Sequence, residues 1–215
     1  MWTELARKIL VYASVPVVVT SSYAIYTFKK QSITIKKLSY FLIVSLVIEV
    51  VSKTLWFLKV NNFPILHIYT LAGFLTLILF YKAVLDKFIP GKVFIVITSL
   101  FISFTIINSI FIQSIFESNS YALTLESVLI LILSLISFYY LLKVQPEVTP
   151  DVVSILSANT GIFIYFTCNV ILFTLSSKFS GYSPDFRKYV WAVHALVALL
   201  MYSCFFIALW KNTRS

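Results

Sequence analysis

Seven polar side chains set in long apolar runs are the residues of this chain that could carry chemistry. They are both histidines of the chain, two glutamates, two asparagines and one lysine: His67, His194, Glu49, Glu126, Asn108, Asn169 and Lys53. Because such groups are costly against hydrocarbon, each should turn toward protein or toward a hydrated cavity. We predict one outward-open cavity lined by His67, Glu126 and His194 at similar depth. Its floor and walls should be formed by Glu49, Lys53, Asn108 and Asn169.

The residue types alone leave the ligand of such a cavity open. Histidine titrates near neutrality, so the cavity could sense protons, and it could equally bind an anion, a metal ion or a polar headgroup. The sequence has no HxxxH, HExxH or CxxC motif. We therefore predict no resident metal or other cofactor and no catalytic residue. The alternative is that the seven residues form separate hydrogen bonds between helices.

The second apolar run carries a polar stripe at helical spacing. Ser45, Glu49, Ser52, Lys53 and Trp56 fall within about 100° of one another on a helix. We predict that this stripe faces the bundle interior, with Lys53 as the ion-pair partner of Glu49 one turn away.

Membrane-spanning helices are the elements that would position these groups. Of the 215 residues 60% are hydrophobic and 12% charged, and the mean hydropathy is +0.95, whereas a soluble domain is about 45–50% apolar and about 25% charged. A spanning helix needs about 20 mostly apolar residues. Seven such runs occur: Lys8–Phe28, Leu38–Val60, Ile65–Leu85, Val93–Ile115, Tyr121–Leu142, Val152–Leu175 and Tyr189–Trp210. We predict an all-α bundle of seven transmembrane helices in one domain, residues 1–215, with a kink at Pro16.

The net charge of +9 belongs to the ends of these runs, which favours membrane orientation over nucleic-acid binding. Ten basic residues would lie on one side: Lys29, Lys30, Lys36, Lys37, Lys82, Lys87, Lys92, Lys143, Lys211 and Arg214. Six would lie on the other: Arg7, Lys8, Lys59, Lys178, Arg187 and Lys188. The positive-inside rule then predicts that the N-terminus is outside, the C-terminus is in the cytoplasm, and the protein is integral to the inner or plasma membrane.

Three sequence features carry a resemblance to known proteins. The second run with Glu49 and Trp56, the NNxPxxHxYT motif of Asn61–Thr70 and the WxxH motif of Trp191–His194 together resemble uncharacterised seven-helix integral membrane proteins of Bacteroidota. That family brings no established activity. The ExxS motif of Glu49–Ser52 also resembles the seven-helix metal hydrolases related to alkaline ceramidases, which implies lipid hydrolysis as an alternative.

The function that these observations favour is non-enzymatic. We predict a sensor- or receptor-like bundle that binds a small polar ligand from the outer side, lies among membrane lipids and relies on a partner protein for output. The first alternative is an intramembrane metal-dependent lipid hydrolase, and the second is a small transporter or channel-like protein. The absence of an internal repeat makes the transporter less favoured.

Overall fold

The part of the chain that the structure describes, residues 2–144, 147–179 and 183–214 of a computed structural model, is helical almost throughout. Its α-helices are α1 Trp2–Tyr12, α2 Val15–Thr27, α3 Ile33–Phe57, α4 Phe63–Val84, α5 Gly91–Ile107, α6 Ser120–Tyr139, α7 Pro150–Phe179 and α8 Pro184–Arg214. A 3₁₀ turn, Phe28–Lys30, follows α2. Two π-helical segments, Asn108–Ile112 and Tyr140–Val144, extend α5 and α6.

Among these described residues, seven helical stretches are long and apolar enough to cross a membrane. They are Glu4–Lys30, Ile33–Phe57, Phe63–Val84, Gly91–Ile112, Ser120–Val144, Pro150–Leu175 and Lys188–Arg214. The predicted seven-helix, all-α architecture is confirmed. The helix boundaries are less accurate, because α3 begins at Ile33, five residues before its apolar run. Ser32 sets this start as the N-cap, since its Oγ accepts from the Ile35 N–H at 3.4 Å.

The first span is interrupted where Pro16 predicts a kink. Helix α1 ends at Tyr12, a turn occupies Ala13 and Ser14, and α2 begins at Val15. A proline has no N–H to donate and its ring crowds the carbonyl four residues earlier, which here belongs to Tyr12. The span is therefore made of two helices.

Six helices pack as a closed ring in the order α2, α3, α4, α6, α7, α8, with α8 returning to α2. Helix α5 lies outside this ring against α4 and α6, and α1 packs against α8. Phe94, Phe101 and Thr105 are the buried residues of α5, and the ring of Phe101 stacks on Phe74 with centroids 3.8 Å apart. Most of the α5 surface is therefore exposed on the outside of the bundle.

The half of the bundle nearest the C-terminus, which we call its C-terminal end, is held together by buried and partly buried hydrogen bonds. Gln31 donates to the Ala24 carbonyl at 2.8 Å and accepts from Ser39 Oγ at 2.6 Å. Asp151 Oδ1 accepts from Ser32 Oγ at 2.6 Å and from Asn212 Nδ2 at 2.9 Å. These bonds join the start of α3, the start of α7 and the end of α8.

Two further contacts fix α7 within the ring. Asn159 accepts from the Tyr81 hydroxyl at 2.8 Å and donates to the Ser134 carbonyl at 3.0 Å, so it links α7 to α4 and α6. At Gly161, a β-carbon would lie 2.8 Å from Cys204 Cβ and 3.0 Å from the Met201 carbonyl oxygen. Only glycine allows α7 and α8 to approach so closely at this point.

Candidate functional site

A cavity of about 310 Å³ lies within the ring toward the opposite end, which we call the N-terminal end. We name it the Glu126 cavity. Phe41 and Phe166 line it on the side of the C-terminal end, and Phe63 and Trp191 line it near the N-terminal end. The polar groups along it are Thr70, Ser118, Asn119, Glu126, Asn169 and His194. It is thus a mostly aromatic pocket with a few polar groups, the usual composition of a small-molecule site.

Glu126 is the buried carboxyl of this cavity. It lies in the second turn of α6, which begins at Ser120, and it is 6% exposed. Its Oε1 is 3.6 Å from the point that a β-carbon on Gly73 would occupy, so the carboxyl lies close to α4. No residue in the described part of the chain gives this carboxyl a hydrogen bond or an ion pair. Burial of a carboxyl without a partner lowers the stability of the fold. A hydrogen-bond donor or a cation bound in the cavity would therefore be stabilised by this group.

His194 and Asn169 form a hydrogen bond across the wall of the cavity. His194 Nε2 lies 2.9 Å from Asn169 Oδ1. Because an amide oxygen only accepts, Nε2 carries the hydrogen in this arrangement. The imidazole is packed among aromatic rings, with the centroids of Tyr165 and Trp191 at 5.3 and 5.6 Å. The bond therefore fixes the imidazole in orientation between α7 and α8.

A second cavity, of about 570 Å³, adjoins the first. We name it the Glu49 cavity, because Glu49 lines it together with Ser45 and Ser52 of the same helix face. The Tyr69 hydroxyl lies 3.1 Å from Ser45 Oγ at its edge. Both cavities are lined by the same wall residues, which we call the common wall: Leu66, Tyr69, Tyr165, Trp191 and His194.

The Glu49–Lys53 ion pair predicted from the spacing is not present. The ion pairs among the described residues are Glu4–Lys8 and Asp185–Lys188. No residue of α3 after Ser45 is fully buried, and part of this half of the helix lines the Glu49 cavity. Lys53 is half-buried and does not line either cavity. The assignment of Trp56 to an inward stripe is wrong, because Trp56 is 64% exposed.

His67 belongs to a different cluster. It is buried in the second turn of α4, where its Nε2 lies 3.0 Å from the Glu117 carbonyl oxygen and its Nδ1 lies 3.1 Å from Ser109 Oγ. A carbonyl can only accept, so Nε2 is the donor to Glu117 and, on a neutral ring, Nδ1 accepts from Ser109. Both ring nitrogens are thus used to attach α4 to the π-helical segment after α5 and to the connection of residues 113–119.

Asn108 supports the same connection. It is fully buried at the start of the π-helical segment, and its Nδ2 donates to Gln113 Oε1 at 3.1 Å. Gln113 in turn donates to Ser120 Oγ at 3.0 Å, and Asn119 of the connection donates to Thr70 Oγ1 at 2.7 Å. Since Asn119 lines the Glu126 cavity, Asn108 and His67 hold one border of the cavity without lining it.

The structure therefore divides the seven predicted residues. Glu126, Asn169 and His194 line the Glu126 cavity, and Glu49 lines the adjoining Glu49 cavity. Lys53, His67 and Asn108 line neither cavity. Ligand binding by any of them stays a prediction. Apart from His194, the predicted site did not include the residues of the common wall. Two helical spacings were a signal for it, Tyr165 four residues before Asn169 and Trp191 three residues before His194.

Metal ligands are not gathered at either cavity. Among the residues that the structure describes, no group of three or more His, Cys, Asp or Glu side chains is placed to hold a metal ion. Glu126 and His194 are the residues of these types that line the Glu126 cavity.

Seven spans of this length and hydropathy make the chain an integral membrane protein. Comparison with known proteins finds no matching family model, no similar curated protein and no similar solved structure. The resemblances to the Bacteroidota proteins and to the ceramidase-related hydrolases therefore stay hypotheses.

Proposed function

We propose that this protein is a sensor- or receptor-like membrane protein that binds a small ligand in the Glu126 cavity. The observation that carries the proposal is the Glu126 carboxyl, which is 6% exposed, lines a largely aromatic cavity and has no partner among the described side chains and backbone groups. A ligand that supplies the missing partner would recover the cost of burying this group. Polar groups in membrane spans are functional candidates for the same reason.

The Glu49 cavity is the proposed access route. It shares the common wall with the Glu126 cavity, so movement of a wall side chain such as Tyr69 or Tyr165 would join the two spaces. Lys188, near the start of the last span, also lines the Glu49 cavity, which places this cavity at the N-terminal end.

Binding is better supported than transport. Both cavities lie toward the N-terminal end of the bundle, and Phe41 and Phe166 separate the Glu126 cavity from the opposite half. The helices of that half pack together through large buried side chains such as Leu38, Phe80 and Tyr81. A transporter must open its site to both sides in turn, and this packing favours access from one side.

We further propose that the N-terminal end faces the outside, as the distribution of Lys and Arg favours. The cavities would then be reached from outside the cell, and a partner protein would receive the signal at the cytoplasmic end. Reporter fusions test this orientation: a fluorescent protein fused after Ser215 should fluoresce, and an alkaline phosphatase fused there should be inactive. The reverse pattern would refute it.

Ligand binding is tested with a matched pair of variants on α6. Leu123 lines the Glu126 cavity, whereas Leu135 is 51% exposed on the outside of the same helix. A library of small molecules is screened for compounds that raise the melting temperature of the purified protein. Compounds that bind the cavity should stabilise the wild type and Leu135→Trp but not Leu123→Trp. Equal stabilisation of all three proteins, or no stabilising compound at all, would contradict the proposal.

A further inference from the structure

The charge balance of the Glu126 cavity identifies a class of ligand. Building on the proposed binding function, we infer that this cavity takes a small organic cation, an amine with a compact apolar body. The ammonium group would pair with the Glu126 carboxylate, and the apolar body would lie against the aromatic side chains. Both parts of the ligand are specified by residues that line the cavity.

The first reason is the uncompensated carboxylate. The cavity lining contains Glu126 but no lysine or arginine, and the carboxyl has neither an ion pair nor a hydrogen bond within the described chain. A buried carboxyl is ionised at low cost only beside a countercharge, and no lysine or arginine among the described residues that line the cavity supplies one. An amine ligand would supply both the positive charge and N–H donors in one group. An anionic ligand would meet repulsion instead.

The second reason is the placement of aromatic rings around this carboxylate. Tyr69 lies on α4, Phe166 and Tyr165 on α7, and Trp191 on α8, so rings line the cavity on several sides. Faces of Trp, Tyr and Phe attract cations within about 6 Å, and such aromatic cages are a common way to bind ammonium groups. A cavity meant only for an apolar molecule would not need a buried carboxyl.

The third reason is the charge of the access route. Glu49 lines the cavity on the other side of the common wall and, like Glu126, has no ion pair in the described part of the protein. Lys188 also lines that cavity, but its Nζ lies 3.0 Å from Asp185 Oδ1, which offsets its charge. A cation would therefore pass from one carboxylate toward the other along an aromatic wall.

Size limits the ligand to a small molecule. At the packing density of protein interiors, about 0.74, a cavity of about 310 Å³ holds a molecule of roughly 230 Å³. An arylalkylamine fits this volume, and so does the ethanolamine headgroup of a phospholipid without its chains. The ammonium chemistry is shared by both sources, and the experiment has to separate them.

Three indoles of nearly equal size form the test: tryptamine is a cation, tryptophol is neutral and indole-3-acetate is an anion. Their dissociation constants for the full-length purified protein are measured by calorimetry in detergent. Tryptamine should bind at least about tenfold more tightly than tryptophol, and indole-3-acetate should not bind. Glu126→Gln should reduce this preference to less than about twofold while tryptophol binding persists. Glu147→Gln is the control, because Glu147 is exposed in the connection before α7 and should leave all three constants unchanged.

The outcomes separate the inference from the proposed function. If tryptophol binds as tightly as tryptamine and Leu123→Trp abolishes both, the cavity is a ligand site but the cationic class is wrong. A preference for tryptamine that survives Glu126→Gln would also overturn the inference. If none of the three binds with a dissociation constant below about 1 mM, the inference fails, and the library screen with Leu123→Trp and Leu135→Trp decides the proposed function separately.

A lipid arm identifies the source of the ammonium group. Tryptamine binding is compared in nanodiscs of phosphatidylglycerol alone and in nanodiscs that also contain phosphatidylethanolamine. Equal affinity in the two membranes supports a free amine as the ligand. Phosphatidylethanolamine could instead weaken tryptamine binding to the wild type but not to Glu126→Gln. That result would mean that the lipid headgroup occupies the cavity, and it would overturn the free-amine form of the inference.

Discussion

His194 and Asn169 are joined by a hydrogen bond of 2.9 Å between Nε2 and Oδ1, at the wall that separates the Glu126 cavity from the Glu49 cavity. The two residues belong to α8 and α7, neighbouring helices of the ring. The hydrogen bond therefore links two spans, and it also fixes the orientation of an imidazole that borders both cavities.

Replacement of Asn169 by leucine should remove this hydrogen bond and lower the stability of the bundle. The variant leaves the His194 N–H without its acceptor, and hydrogen bonds between membrane helices contribute about 0.5–2 kcal/mol. We expect the free energy of unfolding in detergent to fall by that amount. Thr160→Val is the control, because Thr160 is exposed on α7 and bonds only within its own helix, to the Leu156 carbonyl. If both variants lose the same stability, the bond between Asn169 and His194 contributes nothing specific.

His67→Leu should loosen the connection of residues 113–119. The change removes the hydrogen bonds of His67 to Ser109 Oγ and to the Glu117 carbonyl, and the latter holds the connection on α4. Amide hydrogen exchange in residues 113–119 should become faster by about tenfold or more, since each lost bond is worth about 1 kcal/mol. Ser109→Ala removes only one of the two bonds and should show a smaller effect in the same measurement. Unchanged exchange in His67→Leu would show that other contacts hold the connection.

Gly161 and Gly73 offer a matched pair for the packing of small residues. Gly161→Ala would place its β-carbon 2.8 Å from Cys204 Cβ and near the Met201 backbone, so α7 and α8 must separate. Overpacking of this kind costs about 1–3 kcal/mol, which thermal unfolding in detergent measures.

For Gly73→Ala the new β-carbon would meet its nearest neighbours at 3.6–3.7 Å, an ordinary contact distance. Helix propensity favours alanine over glycine by about 1 kcal/mol, so this variant should be as stable as the wild type or more so. A similar loss in both glycine variants would mean that the close approach at Gly161 is not what limits packing.

Glu126→Leu should raise the stability of the ligand-free protein. The carboxyl is buried without a partner, and its removal relieves a desolvation cost of about 1–3 kcal/mol. Groups kept at a cost to stability are typical of functional sites. Chemical unfolding in detergent compares this variant with Glu147→Leu, an exposed position that should change stability by no more than about 0.5 kcal/mol. A clear loss of stability in Glu126→Leu would indicate that the carboxyl has a structural role instead.

Some parts of the site could be read in advance from residue types. Glu126, Asn169 and His194 are polar groups in apolar runs, and the rule that such groups turn inward places all three at a cavity. The same rule failed to separate His67 from them. Depth along the helix is similar for His67 and His194, but the His67 imidazole is hydrogen-bonded to a backbone carbonyl of the connection of residues 113–119. No pattern within α4 reveals a partner that lies fifty residues away along the chain.

The sequence by itself determined that this is a seven-helix membrane protein, because span number and length depend only on local hydropathy and on the thickness of hydrocarbon that each helix must cross. The tertiary structure decided which polar groups meet. A helix turns by about 100° per residue, so the direction of a side chain depends on where its helix begins and on local changes such as the π-helical segment at Asn108–Ile112. The start of a helix and its local changes are set by contacts between helices, such as the close approach of α7 and α8 at Gly161 and the hydrogen bond of His194 to Asn169. Glu49 and Glu126 face adjoining cavities for this reason, while Lys53 does not join them.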